Sequence, residues 1–349
     1  MQYSRFGRTD FMISAVGIGG LYANRVSNLP GLITEALDAG INTIDTASTY
    51  GLSEELFGEA LVGCRDRFLV ATKSIHRDFN VFCQTVYQSL QRLQMEYIDL
   101  YYLHDISTPA DWKLVRDGGH YDFLKHRQKQ GDIRWIGVSV HDLDTAELIL
   151  SERDFDVIML AYNLTEREPE VRIFDLAASL DLGVVVMKPF AGGVLTETRS
   201  QAYGLDIRAA DALRFSLGHP AVHTVIPGIS SLQELRTAVA CGNQREILDM
   251  PTRDQLCQTA AFLGGVFCKG CGYCLPCPAG VDIPLLMQMH SRFRLYDQRN
   301  WQQVFQLRSD YEAASVSGDA CVGCGECLKR CPYRLSIPDS LAELHQRLS

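Results

Sequence analysis

Nowhere does the chain reach the roughly 20 consecutive apolar residues that a membrane-spanning helix needs, so no membrane span is expected. It also lacks a basic excess: 33 Lys and Arg stand against 42 Asp and Glu, for a net charge of −9. Nucleic acid and anionic membrane surfaces are recognised by basic residues that neutralise phosphates, so neither is an expected partner. Between Met1 and Phe11 no apolar core of a secretion signal is present, and Arg5, Arg8 and Asp10 interrupt the segment. No glycine-rich dinucleotide fingerprint opens the first helix, which counts against a doubly wound open sheet. No flavin motif is visible either. The remainder has ordinary globular composition, 46% hydrophobic and 21% charged, suited to a small-molecule substrate or a protein partner.

The cysteines are unevenly spread. Cys64, Cys83, Cys241 and Cys257 are scattered, and with no secretion signal they are expected to be reduced thiols in the cytoplasm. The other eight form two tight groups. The first runs Cys268, Cys271, Cys274, Cys277-Pro278 and the second Cys321, Cys324, Cys327, Cys331-Pro332. Cysteines two residues apart, closed by Cys-Pro, are the bacterial ferredoxin signature for [4Fe-4S] clusters. Paired Cys-x2-Cys units also bind zinc, but two groups of four fit iron and sulfide better. In two-cluster ferredoxins the last cysteine of each run ligates the other cluster. That rule assigns Cys268, Cys271, Cys274 and Cys331 to one site, and Cys321, Cys324, Cys327 and Cys277 to the other. The 43 residues between Cys277 and Cys321 exceed a compact ferredoxin hairpin and read as helices, Ile283–Phe293 and Asn300–Leu307.

Ahead of this tail, residues 2 to 14 read as a hairpin. A repeat of apolar strand, loop and amphipathic helix follows. Strands are expected at Ala15–Gly20, Ile41–Asp45, Phe68–Lys73, Ile98–His104, Trp135–Ser139, Val157–Ala161, Gly183–Lys188 and Ala221–Pro227. Helical stretches such as Leu32–Ala39, Val81–Leu93 and Glu170–Leu180 lie between them. Eight such units predict a (β/α)8 barrel in the α/β class over residues 1–248, followed by a mainly α-helical ferredoxin-like domain over 249–349. Asp45, Lys73, His104, Ser139 and Lys188 all fall at C-terminal strand ends, where barrels keep their chemistry.

The segment Ile44-Asp45-Thr46-Ala47 with Tyr50-Gly51 and Ser53-Glu54-Glu55, then Ala71-Thr72-Lys73, Tyr102-Leu103-His104, Gly131 to Arg134 leading to Ile136–Ser139, and Ile226-Pro227-Gly228 together resemble the aldo-keto reductase superfamily. The Lys188–Gly193 loop, the shortened first cysteine run and Gly280–Pro284 are similar to its iron-sulfur-bearing branch. This resemblance implies a catalytic tetrad of Asp45, Tyr50, Lys73 and His104. The physical case is independent: a phenol is a poor acid near neutral pH, and a neighbouring ammonium lowers its pKa by favouring phenolate. Asp45 would hold Lys73, and His104 would bond a carbonyl oxygen or relay the proton.

For the nicotinamide cofactor, NADP or NAD, the resemblance implies Gly19, Gly20, Asp45, Ser139, Lys188, Phe190, Gly228, Ser230 and Ser231. The positions around them depart from the family pattern. Val140 and His141 follow Ser139, Met159 stands where many relatives use glutamine, and Met187 where many place an aromatic ring. Gly228 and Glu234 stand where basic residues meet the 2′-phosphate of NADP, with Arg236 nearby. Ser230 and Ser231 are equally explained as helix N-caps.

Two functions follow. The first is an oxidoreductase acting on a small carbonyl or alcohol through Tyr50 and linked to two [4Fe-4S] clusters. The second is an electron-transfer module whose barrel no longer binds nicotinamide and docks a redox partner. A purely structural role for the clusters is a third possibility. The substrate loops Asp105–Tyr121 and Ala191–Asp206, with Trp112, His120, Tyr121 and Tyr203, carry no pattern that names a ligand.

Overall fold

The computed structural model describes residues 1–152, 154–202, 205–245, 247–261, 263, 267–295 and 301–349. They divide into two compact units, residues 1–189 with 213–249, and residues 190–212 with 250–349. No helix among the described residues is long and apolar enough to cross a membrane.

In the first unit, β1 (Tyr3–Arg5) and β2 (Met12–Ser14) pair antiparallel as the expected hairpin. The parallel strands β3 (Ile18–Gly19), β4 (Thr43–Asp45), β5 (Leu69–Ser74), β6 (Ile98–Leu103), β7 (Ile133–Val140), β8 (Val157–Ala161), β9 (Gly183–Met187) and β10 (Thr224–Ile226) line up in chain order. Parallel bridges from Val16 to Val225 and from Gly19 to Gly228 close the sheet. The Gly17 N–H donates to the Val225 carbonyl at 3.0 Å and the Gly19 N–H to that of Pro227 at 2.9 Å. The result is the (β/α)8 barrel.

Every residue of β5 and β6 is buried, as parallel strands covered on both faces require. Phe6 and Ile13 of the hairpin pack into the barrel with Leu69, Leu100, Val157 and Val185. Between strands, polar side chains start the helices. Asn28 accepts from the Gly31 N–H at 3.0 Å, Asp78 from Val81 at 3.0 Å and Thr108 from Asp111 at 3.0 Å, each such cap contributing on the order of 1 kcal/mol.

Two expectations are revised. The helix read over Glu170–Leu180 is two, Pro169–Arg172 and Phe174–Ser179, and the break at Ile173 lets both Ile173 and Phe174 bury. The segment read as a substrate loop between Asp105 and Tyr121 contains a helix, Pro109–Asp117. Trp112 there is buried and donates to Glu152 at 2.8 Å, while the buried Tyr121 donates to the Asp154 carbonyl at 2.6 Å. Both rings pack on Phe155, and His120 is buried against Phe82. These three are core residues, and Tyr203 lies outside the described residues.

The second unit is helical. The expected helix Ile283–Phe293 runs to Leu295, and Trp301–Glu312 forms where Asn300–Leu307 was expected, with Asn300 outside the described residues. Glu197–Ala202, inside the segment read as the loop Ala191–Asp206, together with Met250–Ala261, Glu326–Arg330 and Ile337–Leu348, are four further helices among the described residues that the sequence reading missed. Leu286, Met287, Leu307, Tyr311, Leu341 and Leu344 form its core together with the buried Cys268, Cys274 and Cys327.

Candidate active site

At the C-terminal end of β4, the Asp45 carboxylate faces the end of β5. There Lys73, only 1% exposed, donates to Asp45 at 2.5 Å and to the Thr46 carbonyl at 2.8 Å. Burial pushes the Asp45 carboxyl up and the Lys73 ammonium down, and their mutual attraction opposes both shifts. The buried Glu54 adds a second carboxylate that favours the lysine cation; it accepts from Thr72 at 2.7 Å and from Arg92 at 3.3 Å.

Two tyrosines compete for that ammonium. Lys73 Nζ lies 5.1 Å from the ring centre of Tyr50 and 5.9 Å from that of Tyr102. Tyr102 is buried, and burial with the Asp45 charge holds its phenol well above the ordinary value, so it stays protonated. Its ring fills space that a Cβ on Gly137 would enter at 2.4 Å, a packing role. Tyr50, on the loop after β4, is half-buried and reaches solvent. Its ring meets the buried His104 edge-on at 6.3 Å between centres. Burial, then Lys73, Arg77 and Lys188, lower the His104 pKa well below the usual histidine value, so that imidazole is neutral. All four tetrad positions converge on one barrel end.

The proposed cofactor residues fare differently. Ser139 is buried and its hydroxyl accepts from the Asp105 N–H at 2.9 Å. Gly19, Gly20 and Gly228 have tight-packing reasons to lack a side chain: a Cβ would meet the Pro227 carbonyl at 2.7 Å, the Phe57 ring at 2.6 Å and the Tyr22 ring at 2.8 Å, respectively. Met159 belongs to the buried barrel interior and Met187 packs beside it. Lys188 has a left-handed backbone, φ 57°, whose carbonyl accepts from Asn163 at 3.0 Å. Its ammonium lies 3.4 Å from Nε2 of His141, and that imidazole is 3.7 Å from Asp105. Sequence reasoning assigned no role to Glu54 or Asp105, though Glu54 stood in a quoted motif. Phe190 falls in the second unit.

Past β10, Ser231 is the N-cap of Leu232–Asn243, accepting from the Glu234 N–H at 3.2 Å. Glu234 turns back and accepts from the Ser230 N–H at 2.7 Å and its hydroxyl at 2.9 Å. Arg236 is paired with Glu35 at 2.7 Å.

In the second unit, Cys277, Cys321, Cys324 and Cys327 line one concavity, with Cys274 at its wall. Cys268 and Cys274 feel the charges of Cys271 and Cys331, and burial raises their thiols to about 11 and about 12. Among the described residues no three His, Cys, Asp or Glu side chains converge on a single metal ion. Gly270 and Gly272, like Gly323 and Gly325, have positive φ, a backbone conformation that glycine adopts without strain.

Residues 22–211, more than half the chain, match the aldo/keto reductase family. The chain belongs to that family. It is an aldo-keto reductase-type oxidoreductase, and residues 267–335 match a 4Fe-4S dicluster domain. An uncharacterised oxidoreductase, YqkF of Bacillus subtilis, is 26% identical over 71% of this chain and 94% of its own. The aldo-keto reductase YhdN of the same organism is 30% identical over 60% and 70%. The solved aldo-keto reductase AKR11C1 from Bacillus halodurans, in its holo form, aligns with a TM-score of 0.64 at 26% identity, covering 74% of this chain and 95% of that one.

Proposed function

We propose that the chain interconverts a small carbonyl and its alcohol, with Tyr50 protonating the carbonyl oxygen in one direction and taking the proton back in the other. The observation that carries this is the buried Lys73–Asp45 pair beside the solvent-reaching Tyr50 ring. Lys73 stabilises the phenolate that forms when Tyr50 gives up its proton, and Asp45 keeps that lysine in place. His104, neutral at physiological pH, holds the substrate oxygen by a hydrogen bond without drawing the proton to itself.

A nicotinamide, when bound, supplies or accepts the hydride. Ser139 would hold its carboxamide, with Gly19, Gly20, Lys188, Phe190, Gly228, Ser230 and Ser231 along the rest of the cofactor. Two [4Fe-4S] clusters would be held by Cys268, Cys271, Cys274 and Cys331, and by Cys321, Cys324, Cys327 and Cys277, where they supply one-electron chemistry. The domain division we adopt is 1–248 for the barrel and 249–349 for the cluster domain.

One observation favours the alternative, an electron-transfer module without nicotinamide: the Glu234 carboxylate occupies Ser230, and Glu35 occupies Arg236. Calorimetry with NADH and NADPH, followed by turnover of an aldehyde panel by wild type and Tyr50→Phe, separates the two. The reductase reading expects binding of one nucleotide, and a loss of about 10²- to 10⁴-fold in kcat for the variant. No binding of either nucleotide transfers the case to the module. Iron and sulfide analysis should return about eight of each per chain.

A further inference from the structure

One side chain joins the loops that follow β5 and β6 at the catalytic end of the barrel. Arg77 donates to the carbonyls of Ile75 at 2.7 Å, His104 at 3.1 Å and Asp105 at 2.6 Å. Its Nε also donates to the Asp111 carboxylate at 3.3 Å, in the first turn of Pro109–Asp117. A guanidinium presents five donors in a planar fork and can serve several acceptors at once, which an ammonium on a flexible stem does less well.

The carbonyls it holds belong to a sharp turn of the chain. The His104 N–H donates to the Ser74 carbonyl at 3.1 Å, so the backbone of His104 is held by the end of β5 on one side and by Arg77 on the other. Asp105 has a left-handed backbone, φ 55°, which a residue with a side chain keeps only where its surroundings impose it. Arg77 holds its carbonyl, and its N–H donates to the Ser139 hydroxyl at 2.9 Å. The next N–H, of Ile106, donates to the Ser139 carbonyl at 3.0 Å. The direction in which the His104 imidazole leaves the barrel wall follows from this turn.

Charged and titratable groups reach that imidazole from several elements. Burial first, and then Lys73 on β5, Arg77, and Lys188 after β9, hold its pKa well below the usual histidine value. The Tyr50 ring meets it edge-on, and the His141 imidazole after β7 is depressed in the same way, by burial and then by Lys188 and His104. The nearby carboxylates are engaged: Asp45 with Lys73, Asp111 with Arg77, and Asp105 with the Ser107 hydroxyl at 2.5 Å and with His141 at 3.7 Å. Arg77 is therefore both a backbone clamp and one of three cations that oppose protonation of His104.

We infer that Arg77 is a positioning residue of the reductase, fixing the turn at His104 and Asp105 so that the His104 imidazole stands beside Tyr50, where the substrate oxygen would lie. The inference rests on the reductase reading proposed above and adds to it a residue outside the tetrad.

The test compares the full chain with Arg77→Lys and Arg77→Met, using NADH, NADPH and a panel of aldehydes. Lysine keeps the charge without the fork, and methionine keeps neither. Per folded protein, measured by circular dichroism, kcat should fall about 10²-fold in Arg77→Met and by a smaller factor, at least about threefold, in Arg77→Lys. Histidine-ring NMR followed from about pH 8 down to about pH 4 reads the charge effect, with His104→Gln assigning the signal. The His104 ring should take up a proton at higher pH in Arg77→Met than in wild type, and as in wild type in Arg77→Lys. Folded variants that lose less than about threefold in kcat, or an Arg77→Met protein whose His104 titrates as in wild type, overturn this inference alone. Should Arg77→Met not fold, kcat of Arg77→Lys decides by the same threshold. Wild type that turns over no aldehyde with either nucleotide overturns the reductase reading and this inference together.

Discussion

Glu234 accepts two hydrogen bonds from Ser230, one from its N–H at 2.7 Å and one from its hydroxyl at 2.9 Å. A helix N-terminus after the last barrel strand would otherwise offer those donors to phosphate, so the carboxylate both occupies them and repels an anion. Glu234→Gln should therefore tighten NADPH binding by about three- to tenfold and NADH binding by less, since only NADPH carries the additional phosphate. Fluorescence titration of both nucleotides against both proteins checks this.

Lys73→Met removes the cation beside Tyr50 and leaves the Asp45 carboxylate buried without its partner. The expected outcome is a kcat reduced by about 10²- to 10⁴-fold and a barrel destabilised by on the order of 3 kcal/mol. Asp45→Asn keeps the shape of the pair and should retain more stability than Lys73→Met. Steady-state kinetics together with urea denaturation separates the catalytic loss from the structural one.

Gly192 has φ +73°, and a Cβ there would meet the carbonyl oxygen of Lys269 at 1.6 Å. Lys269 follows Cys268, the first cysteine of the proposed cluster set, so the displaced backbone adjoins that set. Gly192→Ala should cost about 1–3 kcal/mol from backbone strain alone and lower iron content. Iron analysis and thermal melting of the purified variant measure both effects.

His223 is neutral in the folded state, its Nδ1 accepting from the Val184 N–H at 3.0 Å. Burial, with Arg245 next in weight, lowers its pKa to about 4. Because the folded pKa lies below the unfolded one, the unfolded chain takes up the proton first as pH falls. Stability is full above about pH 6.5 and declines from there towards pH 4, by on the order of 3 kcal/mol in total for this group. His223→Asn should flatten that part of the stability profile, measured as the difference from wild type in urea melts between pH 7 and 4.5.

Much of this was legible because its signals are local. The apolar runs ending in Asp45, Lys73 and His104 announce parallel strands and the barrel end where these side chains gather, and the cysteine spacing is covalent information. What stayed hidden depends on the partner an element meets. The helix Met250–Ala261 mixes Cys257 and Ala260 with polar neighbours and shows no continuous apolar stripe. Ile337, Leu341, Leu344 and Leu348 do form such a stripe, a local signal of a helix with one buried face. Trp112, His120 and Tyr121 stand in a segment that reads as a substrate loop, yet only the fold reveals that they bury against Phe155 and Phe82. Ser231 and Glu234 have the spacing of a capping box, which announces a glutamate turned back on the helix start, but that it takes the Ser230 N–H and hydroxyl depends on its rotamer.

The hairpin inserted in the barrel ties the first residues to the last strands. Arg5 pairs with Asp181 across 176 residues, the Phe6 ring meets that of His223, and the Gln2 N–H donates to the Gly242 carbonyl. At ribosomal speeds of roughly 5–20 residues per second, the hairpin must wait on the order of 10 to 50 s before Gly242 is made. Barrel completion is thus a late event governed by distant contacts, the kind that slows folding most. Through that interval Phe6 and Ile13 have no barrel to enter, which makes the N-terminal hairpin the segment of the nascent barrel with the longest need of protection.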